Sequence, residues 1–125
     1  MRNFTAPLAL AAALLAAAPV HAKPADADAA KQILKDSIAI PTVEGRGKVP
    51  ELAAYFAGVL KAAGYADSDI EITPMGETAT FAATLQGTGK GKPIVLLGHM
   101  DVVEAKESDW KYPPFKFREE GGYYL

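Results

Sequence analysis

The sequence predicts a mixed α/β fold in which helices flank a layered sheet. Three observations lead to this fold class. Two early segments repeat apolar residues at helical spacing, a later segment alternates apolar and acidic residues, and residues 93–98 form an uninterrupted apolar run. Helical periodicity followed by strand-like patterns, one of them without alternation, is typical of an α/β domain with a layered core.

Two helices are predicted before residue 65. The first runs from about Asp28 to Ala39, because Pro41 disfavours the helical conformation at the residue before it. Its apolar face is formed by Ile33, Leu34, Ile38 and Ala30. The second begins near Pro50, a residue suited to a first helical turn, and ends before Gly64, a favourable residue after a helix. Its apolar stripe comprises Leu52, Tyr55, Phe56, Val59, Leu60 and Ala63, and we expect Tyr55 and Phe56 in the core.

Three strands are predicted after the helices. Residues 69–72 alternate acids with isoleucines, which indicates a strand with one buried face. Residues 80–85 are the second candidate. Residues 93–98 are the third, and their lack of alternation predicts burial on both faces. The glycine- and lysine-rich residues 87–92 are predicted to form a hairpin loop. In a phosphate-binding loop the Gly-Lys pair is followed by Ser or Thr, whereas Gly91-Lys92 is followed by Pro93.

The composition excludes several classes of protein and site. The 125 residues include 13 basic and 15 acidic side chains, for a net charge of −2, and no long block of like charge. This balance argues against a nucleic-acid partner, whose affinity depends on clustered Lys and Arg. The absence of cysteine excludes disulfides and thiolate metal sites. Any transition metal would therefore be bound by His, Asp and Glu.

The N-terminus has the pattern of an export signal. Arg2 precedes an Ala- and Leu-rich run over residues 6–20, and a small-residue cleavage site ends at Ala22. A buried Ala-rich core helix is the alternative interpretation. The predicted organisation is a signal peptide at residues 1–22 and one domain at residues 23–125, with export, to the periplasm, as the expected location. His21 lies in the predicted signal and is given no function.

The residues whose side chains could bind a metal or take part in a reaction are His99 and Asp101, directly after the third predicted strand. Alternate side chains of an extended chain share a face, so these two should project together, with Cα atoms about 6.5–7 Å apart. Imidazole is the commonest metal ligand in proteins, and a neighbouring carboxylate can orient the ring. Spacing alone leaves two hypotheses open: a metal ligand with its acidic partner, or a histidine satisfied by structural hydrogen bonds.

The surrounding residues add a family resemblance. Residues 96–103 read LLGHMDVV and residues 109–115 read DWKYPPF. Upstream, residues 38–43 (IAIPTV) and residues 50–65 (PELAAYFAGVLKAAGY) extend the similarity. Together these segments resemble the co-catalytic zinc metallopeptidase family, which includes aminoacylases, acetylornithine deacetylase, succinyl-diaminopimelate desuccinylase and glutamate carboxypeptidases.

The resemblance implies a role for each residue of the pair. His99 matches the family's histidine that binds one of two zinc ions, and Asp101 matches its supporting catalytic acid. It also implies a metal-dependent hydrolase of amide bonds in peptides or N-acyl amino acids. The implied cofactor is Zn²⁺, two ions per complete site, with Co²⁺ or Mn²⁺ as alternatives at nitrogen and oxygen ligands. In complete relatives the ions polarise the amide carbonyl and supply hydroxide, while a glutamate transfers the proton.

The family's remaining metal ligands and its general-base glutamate do not appear in the sequence, and residues 121–125 look like the approach to the bridging aspartate. We therefore expect an N-terminal, incomplete part of a zinc-peptidase catalytic domain that is inactive alone. The parent protein would bind a small peptide or N-acyl amino acid. It would have no nucleic-acid partner and, after signal cleavage, no membrane partner. A second, dimerising domain would make it a homodimer.

Two other functions stay open. One is a non-catalytic binding or interaction module, or a truncated remnant, of the same fold. The other is an unrelated periplasmic ligand-binding domain, in which the His-x-Asp match would be a coincidence. Residues 109–115 are expected to fasten a long loop rather than to shape a substrate pocket. Glu104 is expected to be a surface loop residue.

Overall fold

The computed structural model describes residues 26–125 as two helices, two small antiparallel sheets and long irregular segments. The helices and strands are α1 (Ala27–Ile38), α2 (Val49–Ala62), β1 (Ile70–Met75), β2 (Thr78–Ala83), β3 (Glu119–Glu120) and β4 (Tyr123–Tyr124). Short 3₁₀ turns span Asp67–Asp69 and Glu107–Asp109. The predicted mixed α/β class is confirmed. The predicted signal peptide lies outside the described residues. None of the helices within residues 26–125 is long and apolar enough to cross a membrane.

Helix α1 begins and ends close to the predicted positions. The Asp26 side chain accepts a hydrogen bond from the backbone N–H of Ala29 at 3.0 Å, which satisfies one of the unpaired donors of the first turn. The helix ends at Ile38, before the proline that was expected to stop it. Ile33 and Ile38 are half-buried, whereas Leu34 is exposed. The predicted apolar face is therefore only partly covered.

Helix α2 supplies most of the core. Its buried residues are Val49, Leu52, Ala53 and Ala57. Gly64 follows the helix with φ +97°, a left-handed conformation that suits glycine and ends the helix as predicted. Phe56 packs against Phe81 of β2, with ring centroids 6.2 Å apart. The Tyr55 hydroxyl donates to Asp36 of α1 at 3.2 Å. Both aromatic residues predicted for the core are half-buried.

Strands β1 and β2 form the hairpin on which α2 packs. Ile72 of β1 lies opposite Phe81 of β2, and Ala79 is buried. A two-residue turn with Gly76 at φ +67° sets the register, so that Met75 pairs with Thr78. β2 therefore begins two residues before the predicted start at residue 80.

The third predicted strand is not formed, and this prediction was wrong. Residues 93–98 form no strand, and the four large side chains of residues 94–97 are 82–97% exposed. A strand needs a neighbour to pair its backbone groups. No strand among residues 26–125 pairs with this run, and no described helix covers it. For the same reason, residues 87–92 do not close a hairpin.

The small sheet of β3 and β4 is tied to α1. The Lys31 ammonium lies 2.5 Å from the Glu119 carboxylate and 5.7 Å from the centre of the Tyr124 ring. The hydrogen bond to Glu119 raises the pKa of Lys31 above its ordinary value, opposed by partial desolvation. These contacts hold the last residues of the chain against the first helix.

Candidate functional site

His99 and Asp101 lie on an irregular segment that is anchored just beyond them. Val102 forms an isolated parallel bridge with Val43, in the loop between α1 and α2. The backbone N–H of Val102 donates to the carbonyl oxygen of Thr42 at 3.2 Å. The segment carrying the pair is thus held by contacts with residues nearly 60 positions earlier.

The imidazole of His99 is oriented by Asp101. Its Nδ1 lies 2.8 Å from the backbone carbonyl oxygen of Asp101 and 3.3 Å from the carboxylate Oδ1. A carbonyl oxygen can only accept a hydrogen bond, so this contact requires the proton on Nδ1. In the neutral ring, Nε2 then carries the lone pair. A metal-binding histidine has this arrangement when its other nitrogen donates to a carboxylate or carbonyl.

Both side chains face solvent beside a cleft. The His99 and Asp101 side chains are largely exposed. The cleft has a volume of about 560 Å³. Its walls come from α2, from β2 and from the exposed run, and include Val49, Phe56, Thr78, Ala79, Thr80, Phe81, Leu96, Leu97, Gly98 and Met100. The candidate ligand therefore lies at the edge of a partly apolar hollow that could receive a small molecule.

The donor set fits one ligand of a metal site. Residues 26–125 contain no group of three or more His, Cys, Asp or Glu side chains that could hold a metal ion together. A catalytic zinc ion keeps three protein ligands and an open position. His99 would supply one of the three through Nε2, with Asp101 as the partner that orients the ring. The other ligands predicted from the resemblance have no counterpart among these residues.

Thr42 is a site residue that the sequence did not indicate. It is 2% exposed, and it is the one polar side chain that is buried among the described residues. Its hydroxyl donates to the carbonyl oxygen of Met100 at 2.6 Å. A threonine in a loop has no periodic pattern, and its partner lies 58 positions away. Nothing in the local sequence could have revealed the contact.

A second connection runs parallel to the first. The Arg46 guanidinium donates to both carboxylate oxygens of Glu104, at 2.7 Å, 2.8 Å and 3.2 Å. Glu104 is exposed, as predicted, but it is also paired. The Arg46 guanidinium also lies 5.4 Å from the centre of the Phe115 ring. Phe115 and Pro114 are half-buried, whereas Trp110 is exposed, so only the end of residues 109–115 is fastened against the domain.

Comparison with known proteins gives a short local similarity. The chain is 56% identical over 36 residues to the "Probable succinyl-diaminopimelate desuccinylase" of Staphylococcus aureus strain Mu50 / ATCC 700699. The same identity and length are found for the protein of that name in strain N315. The aligned stretch covers 27% of this chain and only 9% of the length of each relative. No family model matches the chain, and no solved structure matches it. About a quarter of the chain is thus similar to proteins named as desuccinylases, which are hydrolases.

Proposed function

We propose that this chain is part of a metal-dependent hydrolase of amide bonds, of the co-catalytic zinc metallopeptidase family, in which His99 is a metal ligand and Asp101 its supporting acid. The proposed substrates are small peptides or N-acyl amino acids. An N-succinyl amino acid, as in the name of the similar proteins, is one member of this class. The proposed location is outside the cytoplasm, after cleavage of residues 1–22.

One observation carries the proposal. The Nδ1–H of His99 is engaged by the carbonyl oxygen of Asp101, with the carboxylate nearby, so the Nε2 lone pair is left as the nitrogen that can bind a cation. The position of this ring beside a cleft gives it access to a small substrate. The local similarity to desuccinylases points to the same reaction class.

Each residue has a defined task in this proposal. His99 binds through Nε2. Asp101 keeps the proton on Nδ1 through its backbone carbonyl oxygen, and its carboxylate lies beside the same nitrogen. When bound, zinc would supply Lewis-acid polarisation of an amide carbonyl and a hydroxide nucleophile at neutral pH. The apolar wall formed in part by Phe56 and Phe81 would contact the non-reacting part of a substrate.

Zinc titration followed by NMR tests the ligand assignment. The full chain, labelled with ¹⁵N, is titrated with Zn²⁺ while the imidazole nitrogen resonances are recorded. We expect zinc to shift the Nε2 resonance of His99 in the wild type. In His99→Ala, which lacks this ring, no imidazole resonance should respond to zinc. The matched control is His21→Ala, because the sequence contains only two histidines. Equal zinc binding by the wild type and His99→Ala would overturn the proposal.

An interaction module is the second candidate, and the exposed run favours it. Isolated exposed hydrophobic residues are ordinary, but a contiguous group can mark a surface that contacts another protein. Residues 94–97 are such a group, with four large apolar side chains in succession. Sedimentation of wild type and Leu97→Lys distinguishes the candidates. Self-association that is lost in Leu97→Lys, without any zinc effect on His99, would favour the module.

A further inference from the structure

We propose that Thr42 is a positioning residue for His99 and acts through the two peptide groups that flank Asp101. The inference rests on the proposed role of His99 as a metal ligand and deepens it. It assigns to a residue in the loop before α2 the control of which imidazole nitrogen carries the proton. Thr42 itself would touch neither metal nor substrate.

Thr42 holds one group on each side of Asp101. Its hydroxyl donates to the carbonyl oxygen of Met100 at 2.6 Å, and this carbonyl belongs to the peptide group before Asp101. Its own carbonyl accepts from the N–H of Val102 at 3.2 Å, and this N–H belongs to the peptide group after Asp101. Both peptide planes that define the backbone conformation of Asp101 are therefore fixed by one residue.

The second hydrogen bond also sets the direction of the Asp101 carbonyl. The described residues contain no cis peptide bonds, so the N–H of Val102 and the C=O of Asp101 point in opposite directions across their shared peptide plane. Because the N–H faces Thr42, the C=O faces away from it. That oxygen lies 2.8 Å from Nδ1 of His99. Thr42 thus aims the acceptor that keeps the proton on Nδ1.

The burial of Thr42 makes this connection specific. At 2% exposure, water cannot readily replace its hydroxyl. Loss of the hydroxyl would leave the carbonyl of the half-buried Met100 without this donor. The exposed pair of Arg46 and Glu104 joins the same two segments further along, but neither side chain reaches the peptide groups of Asp101.

The tautomer of His99 can be read directly from the nitrogen chemical shifts of its ring. The test compares full-length wild type with Thr42→Val, which removes the hydroxyl at nearly constant shape, and with Thr42→Ser, which keeps it. Val43→Ala is the matched control, because Val43 is also buried, at 7% exposure, and forms the bridge with Val102 but offers no side-chain hydrogen bond. Thermal unfolding of each variant measures any general loss of stability.

We expect the Nδ1–H form in wild type, Thr42→Ser and Val43→Ala, and a mixture of tautomers in Thr42→Val. The zinc affinity of Thr42→Val should fall about tenfold, at the lower end of the effect known for groups that support metal ligands. Thr42→Ser should keep the wild-type affinity. Thr42→Ala removes the hydroxyl without adding a buried methyl group and gives the same readout if Thr42→Val does not fold.

Two results would overturn the inference. One is an unchanged tautomer and zinc affinity in folded Thr42→Val or Thr42→Ala. The other is a tautomer change in Val43→Ala as large as that in Thr42→Val, since this would reflect general loosening. Failure of the proposed function has a different signature. In that case zinc would not affect His99 in the wild type, while the tautomer would still respond to the Thr42 substitutions.

Discussion

The ion pair between Arg46 and Glu104 ties the loop before α2 to the segment after Asp101, and its strength can be measured by a double-mutant cycle. The variants are Arg46→Gln, Glu104→Gln and the double substitution. The two side chains are 41% and 43% exposed, so the pair belongs to the partly solvated class. Exposed pairs contribute about 0.2–1 kcal/mol, and the bidentate geometry places this one at about 0.5–1 kcal/mol.

The two single substitutions should differ. Glu104→Gln removes only the ion pair and should cost about 0.5–1 kcal/mol. Arg46→Gln also removes the contact with the Phe115 ring, at 5.4 Å, which is worth a further ~0.5–1 kcal/mol at an exposed site. We therefore expect about 1–2 kcal/mol for Arg46→Gln, from the sum of these two contributions.

Hydrogen exchange of the Val102 amide is a suitable assay. This N–H is bonded to the Thr42 carbonyl, so it exchanges when the two segments separate. A loss of about 0.5–1 kcal/mol corresponds to about a two- to fivefold faster exchange in Glu104→Gln. The coupling between the two sites should vanish near 1 M salt, roughly where the screening length falls to 3 Å. Strictly additive single effects at low salt would refute the reasoning.

Four further predictions concern the core, pH, processing and activity. Leu52→Ala should lower the free energy of unfolding in urea by about 2–3 kcal/mol, because Leu52 is 6% exposed, whereas Leu34→Ala at 38% exposure should cost under about 1 kcal/mol. Burial, with help from the hydrogen bond to Asp36, raises the pKa of Tyr55 above its ordinary 10.0. Because the folded state then holds this proton more tightly than the unfolded state, neutral Tyr55 stabilises the fold. The contribution is fully present below pH 10.0 and is lost as the pH rises through the folded-state pKa. A pH series of unfolding should show that Tyr55→Phe lacks this alkaline loss, and an identical pH profile would contradict the assignment. N-terminal sequencing of protein exported by a bacterial host should find cleavage after Ala22, and an intact N-terminus would disprove the signal peptide. The 125-residue chain with added zinc should not release amino acid from N-acyl amino acids, because a catalytic zinc needs three protein ligands and residues 26–125 contain no group of three that could hold it. Turnover that His99→Ala abolishes would show this ligand count to be wrong.

The helices could be predicted because their boundaries depend on nearby residues. Pro50 at the start of α2 and Gly64 after it act through their own backbone preferences, so their effect is visible in a short window of sequence. The start of β2 was displaced because a turn at Gly76, not the apolar pattern, sets the register. Local signals thus determined the elements, and the turn determined their alignment.

The apolar run over residues 93–98 could not be judged in the same way. An uninterrupted apolar pattern indicates burial only if other elements cover it, and the coverage depends on residues far away in the sequence. The proximity of His99 and Asp101 was predictable from their two-residue spacing, although the strand that was expected to present them is not formed. The role of Thr42 was not, because its contact with Met100 joins positions 58 residues apart.

The exposed apolar run at residues 94–97 has a consequence for the self-association of the chain at high concentration. Segments that are apolar, β-branched in part and uncharged tend to stack edge to edge into cross-β assemblies. Lys90 and Lys92 lie four and two residues before the run and place two positive charges near every such segment. Parallel, in-register stacking would bring these charges together, so the lysines would oppose fibril growth. Their protection is electrostatic and weakens as salt screens it.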